Sequence, residues 1–315
     1  MYRAHFSTLI LGVYMDEKLL FIYNAKSGKA KIRTKLADVI DILIKAGYRV
    51  ETYQTQCPRD ASYKIEKNGE EFDIIVCSGG DGTLNEVVGG VMKLEHKPVI
   101  GYIPSGTTND FGNSIGLYKD MVKSAAVAVG GTPICIDVGE FNKESNFVYI
   151  AAFGVFTDVS YQTSQNLKNI LGHQAYIIEG IKSLTSVKSY QMRIEYEEGV
   201  IEDEFIYGMI SNSESAGGFK GITGKDVVLD DGLYEGTFIK KPKSPMELTS
   251  ILNSLLAGNS RSEGIYNFKT SKVKIVSEDP VAWVLDGEYG GSHREVNIIN
   301  RMNAVKIMAN VYDKE

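Results

Sequence analysis

The segment Ser78-Gly79-Gly80-Asp81-Gly82-Thr83-Leu84-Asn85-Glu86 follows the apolar run Ile74 to Cys77. A buried strand that runs into closely spaced glycines and then a helix can do chemistry. Glycine lets the backbone approach a phosphate closely, and the first N–H groups of a helix have no partner within it, so they favour an anion. Thr83 and Glu86 have the spacing of a capping box, which predicts a helix start beside the loop. Asp81 is the discordant residue. A carboxylate repels phosphate unless a cation lies between them, so its presence points to Mg²⁺.

Alone, such a loop fits an unliganded βα turn equally well. Two further loops shift the balance. Asn24-Ala25-Lys26-Ser27-Gly28-Lys29 follows the apolar run Leu19 to Tyr23, and Pro104-Ser105-Gly106-Thr107-Thr108-Asn109-Asp110 follows Val99 to Ile103. In an open α/β sheet, ligands bind outside the carboxyl ends of the strands, so the three loops converge on one crevice. Neither a P-loop nor a Rossmann glycine pattern is present.

The remaining candidates are weaker by spacing alone. Asp81, Asp110 and Asp137 each follow a strand or a glycine loop. Leu285-Asp286-Gly287-Glu288 reads as a hairpin turn. Val228-Leu229-Asp230-Asp231-Gly232-Leu233 reads equally as an acidic turn or a cation site. Lys240, Lys241 and Lys243 read as a solvated loop, with weak attraction to anionic lipid as the alternative. His5, His96, His173 and His293 show no metal-ligand spacing, which argues against zinc.

The elements that must position these residues are legible as a change of rhythm. Over the first 140 residues or so, strand-like runs alternate with helical spacing: Leu36, Val39, Ile40 and Leu43 ending at Gly47, then Val50 to Thr55, Ala61 to Lys67, and Leu84 to Met92. This predicts a mainly parallel sheet with helices on both faces. After Asp137 short β-rich runs dominate, among them FVYIAAF, YQMRIEY, EFIYGMIS, VKIV, VAWVL and EVNII, which predict an antiparallel sandwich. Helices are expected near Leu167 to Leu184 and near Pro245 to Leu256. The last apolar run, Ala304 to Val311, fits either sheet. The expected division is an α/β domain over 15–137, open to completion by a strand from 302–315, and a β-sandwich domain over 138–301.

With 315 residues, 43% hydrophobic and 23% charged, the chain has a folded protein's balance, and its net charge of −6 argues against nucleic acid as a partner. Cys57, Cys77 and Cys135 form no CxxC pair; Cys77 and Cys135 are read as buried thiols of a reducing compartment. The run Ser7 to Tyr14 is too short to span a bilayer, so residues 1–14 are read as an extension and not as a signal peptide.

Together SGGDGTLNE, the PSGTTNDFG segment, NAKSGK and LDGE resemble the diacylglycerol kinase catalytic-domain family, in its small bacterial lipid-kinase branch. The resemblance runs from Met15 onward; alanine at position 25 departs from the family's usual proline. It implies an ATP- and Mg²⁺-dependent kinase that phosphorylates a lipid hydroxyl, with diacylglycerol giving phosphatidic acid as first choice. Phosphatidylglycerol, a sphingoid base or a polyprenol are alternative acceptors, and an NAD kinase-like small-molecule kinase is the alternative enzyme.

By the same resemblance Asn24, Ser27, Lys29, Thr55, Gly79, Gly80, Asp81, Gly82, Thr83, Leu84, Asn85 and Thr107 surround the nucleotide. Lys29, Asp81, Asp110 and Asp137 form a charged network around Mg²⁺. Glu288 is the general base, and Asp286 orients it or holds metal. A second, structural Mg²⁺ is implied at Asp231 with the carbonyls of Val228 and Leu233. A membrane lipid substrate, transient peripheral membrane contact, a cytoplasmic location and a homodimer follow from the resemblance as well.

Overall fold

The computed structural model describes residues 17–106, 109–155, 188–213, 215–216, 219–220, 227–256 and 263–311. Strand β1 (Lys18–Tyr23) leads through the first loop to helix α1 (Ile32–Lys45) and β2 (Arg49–Gln54). Helix α2 (Asp60–Asn68), β3 (Ile74–Gly79), α3 (Asp81–Val91) and β4 (Val99–Pro104) follow. Parallel pairing places these strands in the order β2-β1-β3-β4.

Alternation along the strands explains the two layers of helices. Leu19 and Phe21 of β1, with Ile74 and Val76 of β3, pack against α1 residues Ile32, Val39 and Leu43. Their neighbours Leu20, Ile22, Ile75 and Cys77 face Ala61 and Ile65 of α2 and Leu84, Val87 and Val88 of α3. Both faces of a central parallel strand are buried, so its sequence is a continuous apolar run without polar alternation. Gly47 closes α1 at φ +101°, a left-handed conformation that glycine adopts without a Cβ clash.

Two short helices then appear that the hydrophobic pattern did not reveal, α4 (Asp110–Ser114) and α5 (Met121–Gly130). The strand-like run around Cys135 is β5 (Thr132–Phe141), but it extends past Asp137, which was expected to follow a strand and lies in the middle of this one. Beyond it come β6 (Ser145–Phe147), β7 (Ile150–Gly154), β8 (Tyr190–Tyr196) and β9 (Gly199–Ser211). The short pair β10 (Ser215–Ala216) and β11 (Phe219–Lys220) precedes β12 (Tyr234–Lys240) and α6 (Pro245–Leu256). The chain ends with β13 (Ile265–Thr270), β14 (Lys272–Leu285) and β15 (Glu288–Ala309). The helix expected near 167–184 lies outside the described residues.

These later strands pair antiparallel in the order β13-β12-β9-β7-β14-β15, and β8 bridges β14 and β9 at their other ends. The sheet thereby curls around a core in which Trp283 meets Phe153 at 5.0 Å and Phe141 at 5.5 Å between ring centroids. Segments VKIV and VAWVL are one strand, β14, and EVNII continues through Ala304 as β15. Strand β15 joins the two halves: Val273 pairs with Ile298, and further along Ile307 pairs in parallel with Ile100 of β4.

No helix among the described residues is long and apolar enough to cross a membrane. Cys77 is buried, whereas Cys135, expected to be so, is only partly covered and Cys57 is exposed.

Candidate active site

The parallel ladder continues past the strand ends, and that fixes the loops. Asn24 donates its backbone N–H to the Ser78 carbonyl at 2.9 Å, Ser105 to Gly79 at 2.8 Å, and Thr55 to Tyr23 at 3.0 Å. The loops then approach more closely than side chains permit. Gly28 sits at φ +52°, and a Cβ there would lie 1.5 Å from the Ser105 carbonyl oxygen. A Cβ on Gly106 would lie 2.8 Å from the Gly80 Cα. Glycine at 28 and 106 lets the loops after β1, β3 and β4 meet, as their sequence predicted.

Helix α3 starts at Asp81 with Gly80 as its N-cap. The expected capping box is absent, because Thr83 is already inside the first turn. Instead Thr83 Oγ1 accepts from Asn24 Nδ2 at 3.5 Å. Glu86 serves another helix: its carboxylate accepts from the Arg59 N–H at 2.8 Å and the Ala61 N–H at 3.3 Å, capping α2 from outside. Leu84 faces the core and not the loops.

Asp81 is buried, and one of its oxygens, Oδ1, has no hydrogen-bond partner. Backbone N–H groups of Asn109 and Asp110 point at its carboxylate. Burial first, and then the charges of Asp286 and Asp110, push its carboxyl up to about 7. Tyr149, also buried, is raised well above the usual tyrosine value by burial first and then by Asp81, Asp286 and Asp110, so all four groups share one electrostatic environment. Asn109, at φ +51°, closes the third loop through Oδ1 on the Gly106 N–H at 2.9 Å.

Asp286 and Gly287 form the two-residue turn between β14 and β15, at φ +48° and +89°. This is the hairpin that spacing predicted, and it does more than reverse the chain. Asp286 accepts from the N–H groups of Val148 (2.6 Å), Tyr149 (3.0 Å) and Ile150 (3.1 Å) and from Asn85 Nδ2 (2.7 Å). Burial still pushes it up to about 6 against those four bonds. Asn85 Nδ2 also reaches the Asn146 carbonyl at 2.8 Å. Glu288, exposed, lies over the phosphate-type loop: a Cβ on Gly82 would be 3.1 Å from its Oε1.

A cleft of about 710 Å³ joins these parts, with Asn24, Ser27, Thr55, Gly80, Gly82, Thr83, Asn85 and Glu288 on its walls. Asp137 takes no part in it. Its buried carboxylate accepts from Gly232 N–H (2.7 Å), Asn303 N–H (2.8 Å) and Asn300 Nδ2 (3.1 Å), tying β5 and β15 to the turn before β12. In that turn Asp231 Oδ1 accepts from the Leu233 N–H at 3.0 Å, and Val228 is exposed. Thr107 and the side chain of Lys29 lie outside the described residues.

Among the described residues no three His, Cys, Asp or Glu side chains converge as a metal cluster. Magnesium needs none, since it keeps several waters and is held by one or two carboxylates plus phosphate. The unpartnered Asp81 Oδ1, beside two further acids, fits that demand. Two of the three lysines are already paired: Lys240 with Asp203 at 2.7 Å and Lys241 with Glu204 at 3.0 Å. Sequence reasoning missed Tyr149, Asn146 and the Glu86–Arg59 cap, whose partners are distant in the chain and leave no local spacing.

A cleft at the carboxyl edge of a parallel sheet, with an acid hairpin laid over its glycine loop, is an arrangement suited to a phosphate-bearing ligand. Residues 18–141 match the family model for the diacylglycerol kinase catalytic domain. The diacylglycerol kinase of Bacillus subtilis (strain 168) is 34% identical over 272 residues, 86% of this chain and 89% of its own. That of Staphylococcus aureus (strain MRSA252) is 33% identical over 297 residues, covering 94% and 93%. A crystal structure from Bacillus anthracis, assigned as a diacylglycerol kinase, superposes with TM-score 0.81 at 25% identity over 94% of this chain and 96% of its own. The chain belongs to the diacylglycerol kinase family of lipid kinases.

Proposed function

We propose that the chain transfers the γ-phosphate of ATP to a lipid hydroxyl, with diacylglycerol the preferred acceptor and phosphatidic acid the product. The observation that carries this reading is the position of Glu288. Its carboxylate overhangs Gly82, at the mouth of the loop whose glycines suit a phosphate. A base placed there meets an acceptor hydroxyl next to the transferring phosphoryl group.

Phosphoryl transfer depends chiefly on positioning and on charge neutralisation. Asn24, Ser27, Thr55, Gly79 to Thr83 and Asn85 hold the nucleotide, and Lys29 and Thr107 are assigned to it by family resemblance; Leu84 supports the helix from the core. Asp81 and Asp110 are the residues that would hold Mg²⁺, which when bound spreads positive charge over the phosphate oxygens. Glu288 takes the hydroxyl proton at its carboxylate as the new P–O bond develops, since a carboxylate is too weak a base to ionise an alcohol beforehand. Asp286 keeps the hairpin, and with it Glu288, in register with α3. Residues 15–137 with the final strand carry the nucleotide, and 138–301 carry the acceptor. The acceptor lies in a bilayer, so turnover requires transient peripheral contact with its surface. Asp231 and the carbonyls of Val228 and Leu233 are the groups that would hold a second Mg²⁺, an all-oxygen set that suits a hard cation, and such an ion would stiffen the turn that Asp137 pins.

The test is a kinase assay with labelled ATP against diacylglycerol, phosphatidylglycerol, a sphingoid base, a polyprenol and NAD. Diacylglycerol should give the highest kcat/KM. Glu288→Gln should lower kcat by about 10²- to 10⁴-fold while ADP still binds; retained turnover would remove Glu288 as the base.

A further inference from the structure

Tyr149 is a buried titratable group that the mechanism above leaves unused. It stands between β6 and β7 with its backbone pinned at both ends. The N–H donates to Asp286 Oδ1 at 3.0 Å, and the carbonyl accepts from the Asn212 N–H at 2.9 Å. Although the residue belongs to the antiparallel half, its ring is buried in the core of the parallel half, with Leu84, Tyr102 and Phe111.

The two tyrosines of that core end differently. Tyr102 donates its hydroxyl to the Gly79 carbonyl at 3.3 Å. The Tyr149 hydroxyl has no hydrogen-bond partner among the described residues, whereas a buried tyrosine usually finds one. The charges that act on it most strongly are those of Asp81, Asp286 and Asp110, in that order. A hydroxyl that feels three carboxyls and bonds to none of them lies in the space they enclose, not against any one. Asp81 Oδ1, also buried, lacks a partner as well. Were ring packing the whole role, phenylalanine would fill the position without the cost of an unpaired hydroxyl.

The acids determine what that space can receive. They repel phosphate until a cation neutralises them, so a phosphoryl oxygen enters beside Asp81 and Asp110, while Glu288 is committed to the acceptor's proton. A neutral hydroxyl suits that oxygen, because it donates without adding charge to the cluster. Fixed donors aimed at charge that develops in the transition state accelerate transfer. We propose that the Tyr149 hydroxyl donates a hydrogen bond to an oxygen of the transferring phosphoryl group, which makes Tyr149 a catalytic residue. The inference rests on the kinase reading, since it takes Asp81 and Asp110 as the residues that bring the phosphoryl group to this space.

Tyr149→Phe tests it, since the variant loses the hydroxyl and keeps the ring. It should lower kcat at least about tenfold, the scale of a hydrogen bond to a charged oxygen, with Tm unchanged or raised and the KM for the lipid unchanged. ADP lacks the transferring group, so calorimetry should find it bound as tightly as by the wild type. The affinity that beryllium fluoride adds to ADP, as a mimic of that group, should fall by a similar factor. Tyr102→Phe is the contrast: it strips a donor from the Gly79 carbonyl, so it should lower Tm and keep the beryllium fluoride effect. An unchanged kcat in Tyr149→Phe, a Tm loss as large as that of Tyr102→Phe, or a rise in lipid KM with kcat retained would overturn the proposal. A wild-type protein that transfers phosphate to no lipid would instead sink the kinase reading, and this inference with it.

Discussion

Asn85 and Asp286 are 201 positions apart in the chain and meet at 2.7 Å. One amide nitrogen of the glycine-loop helix thus holds the turn that carries Glu288, while the Asp286 oxygens collect three backbone N–H groups at the start of β7. The contact links the two halves of the cleft. Removing the acceptor strips a partner from four donors and leaves the buried Val148 and Tyr149 N–H groups unsatisfied, each worth about 1–3 kcal/mol. Asp286→Ala should therefore destabilise the fold by at least about 2 kcal/mol, read as a shift in the urea midpoint. Asp286→Asn, which keeps one acceptor oxygen, should lose less stability yet lower kcat more than it raises the KM for ATP.

The two buried acids give stability a specific pH dependence. Asp81 is raised to about 7 and Asp286 to about 6, both above the value of 3.8 in the unfolded chain. Between those limits the folded state holds protons that the unfolded state has released, so stability falls as pH rises. Without Mg²⁺ or nucleotide, in EDTA, the protein should be more stable at pH 5 than at pH 7.5, with the change complete by about pH 8. Asp81→Asn should flatten much of the profile. A midpoint that rises steadily from pH 5 to 7.5 would contradict the burial of uncompensated carboxyls.

The parallel half of the fold was legible because its strands are buried on both faces. Leu19 to Ile22 and Ile74 to Cys77 are continuous apolar runs, and loops rich in glycine mark their ends. The antiparallel half was legible only in pieces. Strand β14 is interrupted by Ser277, Glu278 and Asp279, and β15 by Asn300 to Asn303, where polar residues at bulges break the apolar pattern without ending the strand. Site residues showed the same division. Asp81 announced itself by standing among glycines. Asp286 looked like any Asp-Gly turn, because its partners Asn85 and Val148 to Ile150 are remote in sequence. Glu86 was misassigned to its own helix for the converse reason: the spacing to Thr83 was right, but the nearer empty N-terminus belonged to α2.

Gly28 should tolerate nothing larger. Alanine there would bear the left-handed conformation and place its Cβ within bonding distance of the Ser105 carbonyl oxygen, so the first and third loops must separate. The left-handed strain and the overpacking together suggest a loss of about 2–4 kcal/mol. The KM for ATP should rise with it, because Ser27 and Gly80 move apart. Thermal melts and initial rates at varied ATP check both.

Lys240 and Lys241 are neutralised by Asp203 and Glu204. Exposed pairs of this kind contribute about 0–1 kcal/mol, and a paired lysine has little charge to offer a membrane. Replacing Lys240, Lys241 and Lys243 with Glu should change sedimentation with anionic vesicles less than twofold, and should cost some stability by setting like charges opposite one another. A large fall in vesicle binding would show that these pairs open at a surface.

The turn before β12 offers a measurement independent of catalysis. Asp137 holds the Gly232 N–H and Asp231 holds the Leu233 N–H, so the backbone is fixed before any cation arrives. A cation that binds only the folded chain stabilises it by about 1.4 kcal/mol when present at ten times its Kd. For a chain of this size that corresponds to roughly 2–5 °C in Tm. Added Mg²⁺ should raise Tm by this amount in the wild type, and Asp231→Asn should abolish the part of the rise that ADP does not affect. The kcat at saturating Mg²⁺ should change little, since the turn lies away from the cleft. Asp137→Asn behaves differently under this scheme: it loosens the turn itself, so it should lower Tm both with and without Mg²⁺.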